Sequence, residues 1–259
     1  MSRTLLTRRR LLGFGAAGAS SIVLGGCDQF DFLGDTDNSV RAFLARANDL
    51  TYRAQRLLIR EGALAPEYSE SEIRQGQRPN GSRDPNTPEY LALKAKDFAD
   101  YRLAVTGLVE QPRSYSLSEL RNMPSRTQIT RHDCVEGWSC IAKWTGTPLS
   151  RILDEVKLKP TARFLAFHCF DRLDGNALYY ESCDLIDARH PQTLLAYGLN
   201  GQALPVANGA PIRVRIERAL GYKQAKYVHT IEAVDSFSRF GQGKGGYWED
   251  RGYDWYAGI

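Results

Sequence analysis

The chain has 259 residues, enough for one large domain or two small ones, and its 42% hydrophobic content suffices for a sizeable core. Its formal charge is +4, but Arg3, Arg8, Arg9 and Arg10 stand in the first 26 residues with no acid, lysine or histidine beside them, which leaves the remainder near neutral. That balance excludes a nucleic-acid footprint on a folded face.

Thr7 to Gly13, followed by a Gly/Ala-rich apolar run to Leu24, has the charged start and short apolar stretch of an export signal over residues 1–26. The paired arginines ahead of Leu11 and Leu12 suggest the twin-arginine route. About 14 residues of moderate hydrophobicity are too few to span a bilayer. Leu24-Gly25-Gly26-Cys27 resembles a lipobox that would lipidate Cys27, and Asp28 is compatible with retention at the inner membrane; an ordinary small-residue cleavage site is the alternative. On either reading the mature protein is expected in the periplasm or cell envelope. Twin-arginine clients travel folded, many with a cofactor already inserted, so the leader favours a bound redox group.

Residues 38–60 place Val40, Phe43, Leu44, Ala47, Leu50, Leu57 and Leu58 at helical spacing, which predicts one or two surface helices within an N-terminal extension over 27–77. Pro66 ends that pattern. The stretch to Pro88, rich in Pro, Asn, Gly, Ser, Arg and Asp, predicts a long extended loop of the kind that is functional or disordered. Strands are predicted at 101–105, 127–130, 164–169, 211–216 and 227–234. Short helices are predicted after Ser116, which stands at capping-box spacing from Glu119, and after Pro148. The class is mixed α+β, strand-dominated. Gly241 to Gly246 follows no strand-to-helix pattern and is no phosphate loop. It reads as the start of a surface-hugging tail anchored by Trp248, Tyr253, Trp255 and Tyr256.

Besides Cys27 the chain has Cys134, Cys140, Cys169 and Cys183. No Cys-x-x-Cys occurs, so a zinc ribbon, a thioredoxin-type pair and covalent c-type haem are not indicated; a disulfide among Cys140, Cys169 and Cys183 stays open. Cys134 lies in Arg131-His132-Asp133-Cys134-Val135-Glu136-Gly137-Trp138, flanked by acids that disfavour a thiolate. It is either a small buried hydrophobe or a thiol that a bound metal deprotonates.

Three downstream segments bear on that choice: His190-Pro191-Gln192-Thr193-Leu194, Asn208-Gly209-Ala210-Pro211-Ile212-Arg213 and Gly221-Tyr222-Lys223-Gln224-Ala225-Lys226. With Cys134-Val135-Glu136-Gly137-Trp138 ahead of them, their order resembles the molybdopterin-binding domain of the sulfite oxidase family, and within it the periplasmic methionine sulfoxide reductases. The resemblance covers roughly residues 78–235. It implies a mixed-sheet fold with short helices over 78–259, and molybdenum–molybdopterin as cofactor. Cys134 matches the protein thiolate on the metal, the catalytic position. Asn208 and Arg213 match pterin and phosphate contacts, and Tyr222, Lys223, Gln224 and Lys226 the pterin-binding turn. Asn80 resembles a pterin-contact loop residue. Cys169 falls where the reductases carry a threonine that touches the cofactor. Taken alone, Arg213, Lys223 and Lys226 read as exposed strand charges and Asn208-Gly209 as a tight turn; His190 reads as structural in either setting.

Sulfite-oxidising members carry arginines soon after the cysteine, whereas here Glu136 would repel an anion. Trp138 and Trp144 would shape an apolar rim, or else belong to the core. The function implied is reduction of a sulfoxide such as methionine sulfoxide, by a monomer fed with electrons from a membrane b-type or a soluble cytochrome. The alternatives are a dehydrogenase of sulfite or another small oxyanion, and a cofactor-free envelope binding module.

Overall fold

The computed structural model describes residues 39–259; the expected export leader, Cys27 and the start of the extension lie outside the described residues. The chain divides into two compact units at Leu50/Thr51. Helix α1, Ser39–Leu58, runs through that division. Its first turn carries no acid, and Arg56 in the last turn complements the helix dipole.

In the second unit the loop after α1 is extended, as its composition predicts, and it is tied down by hydrogen bonds. Tyr68 N donates to Ile129 O (2.9 Å) and Arg74 N to Ile141 O (3.1 Å). The Gln192 side chain closes both backbone groups of Ala65, accepting from its N–H at 2.7 Å and donating to its carbonyl at 3.1 Å. His190 donates from Nε2 to Ala63 O (2.9 Å) and accepts from Gln192 N, the structural role expected of it. Helix α2, Pro88–Lys94, opens with proline in its first turn and buries Tyr90, whose hydroxyl donates to Ala210 O.

Two five-stranded sheets follow. The first holds β1 (Arg102–Gly107), β2 (Arg113–Ser116), β5 (Phe164–Leu173), β6 (Ala177–Asp184) and β10 (Val228–Val234) in the order β2-β1-β10-β5-β6, with β1 and β10 parallel and the other pairs antiparallel. The second holds β3 (Arg126–Cys134), β4 (Trp138–Pro148), β7 (Leu194–Leu199) and β8 (Gln202–Ala203), with β9 (Arg213–Arg215) on the free side of β7. Gly146 lets β4 and β7 approach closely: a Cβ there would lie 2.4 Å from Leu195 O. Helix α3, Leu117–Asn122, begins with the predicted capping box, in which Ser116 Oγ accepts from Glu119 N while the Glu119 carboxylate accepts from Ser116 N. Helix α4, Leu149–Val156, buries Leu149, Ile152, Leu153 and Val156, an i, i+3, i+4, i+7 stripe. Helix α5, Leu185–Ala188, is capped by the Asp184 side chain.

The main core joins Leu103, Val105, Leu165, Phe167 and Ile231 of the first sheet to α4, Leu195 and Val214. A smaller cluster on the second sheet contains Ala142, Ala196 and Trp144. Trp144 is thus a core residue, fully buried beneath the guanidiniums of Arg213 and Arg215 (5.1 and 4.3 Å from its ring), and forms no rim. Cys134, Cys140, Cys169 and Cys183 are all unpaired, so the disulfide left open by the sequence does not form among them.

Candidate active site

The buried face of β3, with Gln128, Thr130 and His132 inside, leads to Cys134 at the strand's end, where the thiol becomes half-buried. Gly137 turns the chain back into β4 at φ +81, a left-handed angle that disfavours any side chain. Burial pushes the Cys134 thiol up, and Glu136 adds to it against the opposing pull of nearby backbone N–H groups and Arg78. The raised value is the one expected, but its first cause is desolvation. Of the two flanking acids Glu136 contributes to the rise, while the Asp133 carboxylate is engaged by Arg131 at 2.9 Å and by Ser139.

Cys134 opens into a cavity of about 120 Å³. The loop before α2 supplies Asn80 and Ser82, β3 supplies Cys134 with Glu136 just beyond, β5 supplies Asp171 and β6 supplies Tyr179. Tyr222, Gln224 and Lys226 close another side, and the C-terminal tail adds Trp248 and Tyr253, stacked at 5.2 Å. A larger hollow of about 270 Å³ between Arg56, Leu64, Tyr68 and Glu217 holds none of the residues predicted for the site.

Charge is strained around the smaller cavity. Lys226 is buried, with its ammonium donating to the carbonyls of Ser82 and Ala207; burial, with Arg213 nearby, holds it down to about 7. Arg213 donates to Asn208 O (3.0 Å) and Gln224 O (3.2 Å), and burial next to Arg215 lowers it to about 9. His132 accepts from Arg215 at Nδ1 (2.9 Å), and burial among cations keeps it neutral. The Tyr222 hydroxyl donates to Asp254 O, and Asn80 Nδ2 reaches Gly221 O at 3.5 Å.

Four predicted contacts do not line the cavity: Asn208 and Arg213, tied to the lining Gln224 through hydrogen bonds of Arg213, and Lys223 and Cys169. The Lys223 ammonium, of a residue expected in the pterin-binding turn, is buried between Glu181 and Glu249 and does not line the cavity; two carboxylates around one cation are what hold it there. Cys169 is buried in the core, its S–H pointing at Phe167 O (3.8 Å), and it does not line the cavity. Sequence reasoning missed Asp171, Tyr179 and the lining role of Trp248 and Tyr253. For the last two the signal was the aromatic density of the tail.

Several polar atoms of the cavity and the adjoining segment 208–213 are buried without a hydrogen-bond partner: Asp171 Oδ1, Asn208 Nδ2 and Arg213 Nε. Buried polar groups are rarely left unmade, each costing roughly 1–3 kcal/mol. An orphaned carboxylate oxygen in the cavity, orphaned donors on the adjoining segment 208–213 and a half-buried thiol suit a polar, ring-bearing anion that carries a thiophilic metal, and molybdopterin is such a group. The residues present therefore fit it.

Comparison with known proteins bears on this site. The oxidoreductase molybdopterin-binding domain family matches residues 90–239. A protein of Azospira oryzae, provisionally named protein-methionine-sulfoxide reductase subunit YedZ1, is 36% identical over 92% of this chain and 85% of its own length. The protein-methionine-sulfoxide reductase catalytic subunits MsrP of Ralstonia nicotianae and Xanthomonas campestris are 37% and 35% identical over 52% and 56% of the chain. The matched part spans less than half of each of those two relatives, 44% and 48%. Among solved structures, the sulfane dehydrogenase SoxCD of Paracoccus pantotrophus aligns with a TM-score of 0.48 and 22% identity, over 57% of this chain and 45% of that one.

Proposed function

Because the chain belongs to the oxidoreductase molybdopterin-binding domain family, we propose that it is the catalytic subunit of an exported sulfoxide reductase acting on methionine sulfoxide or a similar neutral substrate. It is a molybdenum-dependent oxidoreductase, and its cofactor is molybdenum–molybdopterin. When bound, the cofactor supplies oxygen-atom transfer and the two electrons that turn a sulfoxide and two protons into a thioether and water.

The chain's own residues supply the rest. Cys134 would hold the metal through its thiolate, which coordination would deprotonate despite the burial that otherwise disfavours it. Asn80, Tyr222, Gln224 and Lys226 face the cavity, and Asn208 and Arg213 pack with them, their unpartnered Nδ2 and Nε atoms being the donors an anionic cofactor would satisfy. Trp248 and Tyr253 form an apolar wall that excludes water and accepts the thioether side of a substrate.

The observation that carries the substrate reading is the acid beside the thiol. Glu136 lines the cavity at its exposed side, held by Trp138 Nε1 at 2.9 Å, and the nearby Arg78 is matched by it at 3.8 Å and laid over the Trp138 ring. An approaching anion such as sulfite meets a carboxylate rather than a free cation, whereas a neutral sulfoxide meets no charge penalty. The twin-arginine leader and Cys27 support export and a lipid tether. The subunit name of the relative from Azospira oryzae supports an electron partner, for which we favour a membrane haem protein over a soluble cytochrome, serving a single copy of this chain.

The test is a substrate screen on mature protein from a host that makes the cofactor, with a reduced viologen dye as donor for reductions and ferricyanide as acceptor for oxidations. Turnover of methionine sulfoxide is expected to exceed that of sulfite at least tenfold. Faster sulfite oxidation would overturn the reading.

A further inference from the structure

We propose that the larger hollow, beside β3, is a second binding site, which takes an uncharged molecule with an apolar body and one strongly accepting oxygen, a ketone or a sulfoxide. The inference is independent of the cofactor reading, since none of the residues lining this hollow lines the Cys134 cavity.

At about 270 Å³ the hollow approaches the ~300–1,000 Å³ of small-molecule sites. Ile59, Leu64, Pro66 and Ile259 give it apolar walls. Ile59, Leu64 and Ile259 remain 41%, 54% and 50% exposed, so apolar surface also forms its mouth. Single exposed apolar side chains are ordinary, whereas three around one concavity mark a place where something apolar is received. The polar side comes from separate elements: Arg56 from α1, Thr130 from β3 and Glu217 just after β9.

The charges of that polar side are already answered. Arg56 pairs with Asp184 and Asp187 at 2.8 and 2.7 Å, Arg218 with Asp187 at 2.8 Å, Arg131 with Asp133 at 2.9 Å and Glu217 with Arg215 at 2.7 Å. Four guanidiniums thus meet four carboxylates. An entering ion would give up its hydration for no unmatched counter-charge, which disfavours both an anion and a cation. What is left over is hydrogen bonding. The Thr130 hydroxyl, on a residue only 1% exposed, and Arg56 Nε are buried without a partner. An Nε–H can only donate and a hydroxyl can do so, and a ligand oxygen is the partner that serves both. Unmade bonds of this kind are costly, and a carbonyl or sulfoxide oxygen answers them without bringing charge. The sulfoxides proposed above as substrates are one source of that chemistry, and apolar carbonyl compounds of the membrane are the other.

The test titrates the full mature chain, loaded with cofactor and without an electron donor, by calorimetry. The probes share a p-tolyl body: 4′-methylacetophenone, methyl p-tolyl sulfoxide, the anion p-toluate and the oxygen-free 4-ethyltoluene. Hydrogen exchange over residues 63–68 and 129–133 reports the site. The ketone or the sulfoxide is expected to bind about tenfold more tightly than p-toluate and about fivefold more tightly than 4-ethyltoluene, with exchange slowed over both segments. The tighter of the two identifies the source. Thr130→Val is expected to weaken the better probe about fivefold without lowering the melting temperature of the ligand-free chain, because it deletes an unpartnered hydroxyl. Ala63→Phe, which fills the hollow from its wall, is expected to abolish the slowed exchange and leave sulfoxide turnover unchanged. Equal binding of p-toluate overturns the neutral class. Equal binding of 4-ethyltoluene, or unchanged affinity in Thr130→Val, overturns the hydrogen bond on which the inference stands. Failure of both oxygen-bearing probes to bind, or slowed exchange confined to the segments around Cys134, overturns the site, and none of these results touches the reductase reading, which stands on turnover.

Discussion

Cys134 and Lys226 line one cavity, and burial disfavours the charged form of each, a balance that a bound cofactor would change. Cys134→Ser removes the only thiol lining that cavity among the described residues, and is expected to abolish turnover and the sulfur-to-metal absorption bands while leaving the melting temperature of the cofactor-free chain within a few degrees. Retained turnover would remove Cys134 from the metal. Lys226 is held down to about 7 from an ordinary 10.5, so the unfolded chain binds an extra proton between those values and stability rises with pH across that window. The destabilisation is fully present below about pH 7. Lys226→Met removes it, and the unfolding free energy of variant minus wild type is expected to fall by on the order of 4 kcal/mol from pH 6 to pH 10.5, read from denaturant titrations of the cofactor-free protein. A flat difference would show that Lys226 carries no such strain. Much of this site was legible in the sequence, because Cys134, Tyr222, Gln224 and Lys226 stand in short motifs. Asp171, Tyr179 and Trp248 were not, since each comes singly from a different element and only the folded sheet brings them to the thiol.

Elements were legible where local chemistry speaks for itself. The Ser116/Glu119 box and the proline before α4 mark their helices in the sequence, and both helices form there. Ser116→Ala is expected to cost about 1 kcal/mol of stability, seen as a shift in denaturant midpoint. The runs that became β1, β3, β5, β9 and β10 also stood out as strands. Hidden were β4, whose buried positions are filled by Cys140, Ala142, Trp144 and Gly146, small residues for the most part with little strand preference, and β6, buried on both faces from Tyr179 on and carrying Glu181, Ser182 and Asp184 there. A buried polar strand looks like a loop until its partners are known. β7 is a short apolar run that periodicity cannot separate from a helix. Gly146→Ala tests the β4/β7 contact. A methyl group 2.4 Å from Leu195 O cannot be accommodated without moving backbone, so a loss of several kcal/mol is expected, against about 0.5–1 kcal/mol gained in an open site.

Across the second unit as a whole, the C-terminal tail is locked to the first sheet by buried charge. Lys223 is shared by Glu181 of β6 and Glu249 of the tail, and Tyr180 donates to Asp250. Lys223→Met would leave two buried carboxylates facing each other, with an expected cost of about 3–5 kcal/mol. Because Trp248 lies beside Glu249, the same variant should raise hydrogen exchange over residues 245–255 and weaken sulfoxide binding before it changes the rate of chemistry. Unaltered exchange there would mean the tail is held by its aromatic contacts alone. The position of β10 has a consequence for biosynthesis. It lies between β1 and β5, paired in parallel with the first strand of the sheet, yet it is the last strand of the chain. A ribosome must pass Val234 of 259 residues before that gap can be filled, and until then β1 and β5 travel as open edges. The nascent chain therefore carries those open edges until β10 has emerged, and a premature stop between β6 and β10 leaves the sheet with its middle missing.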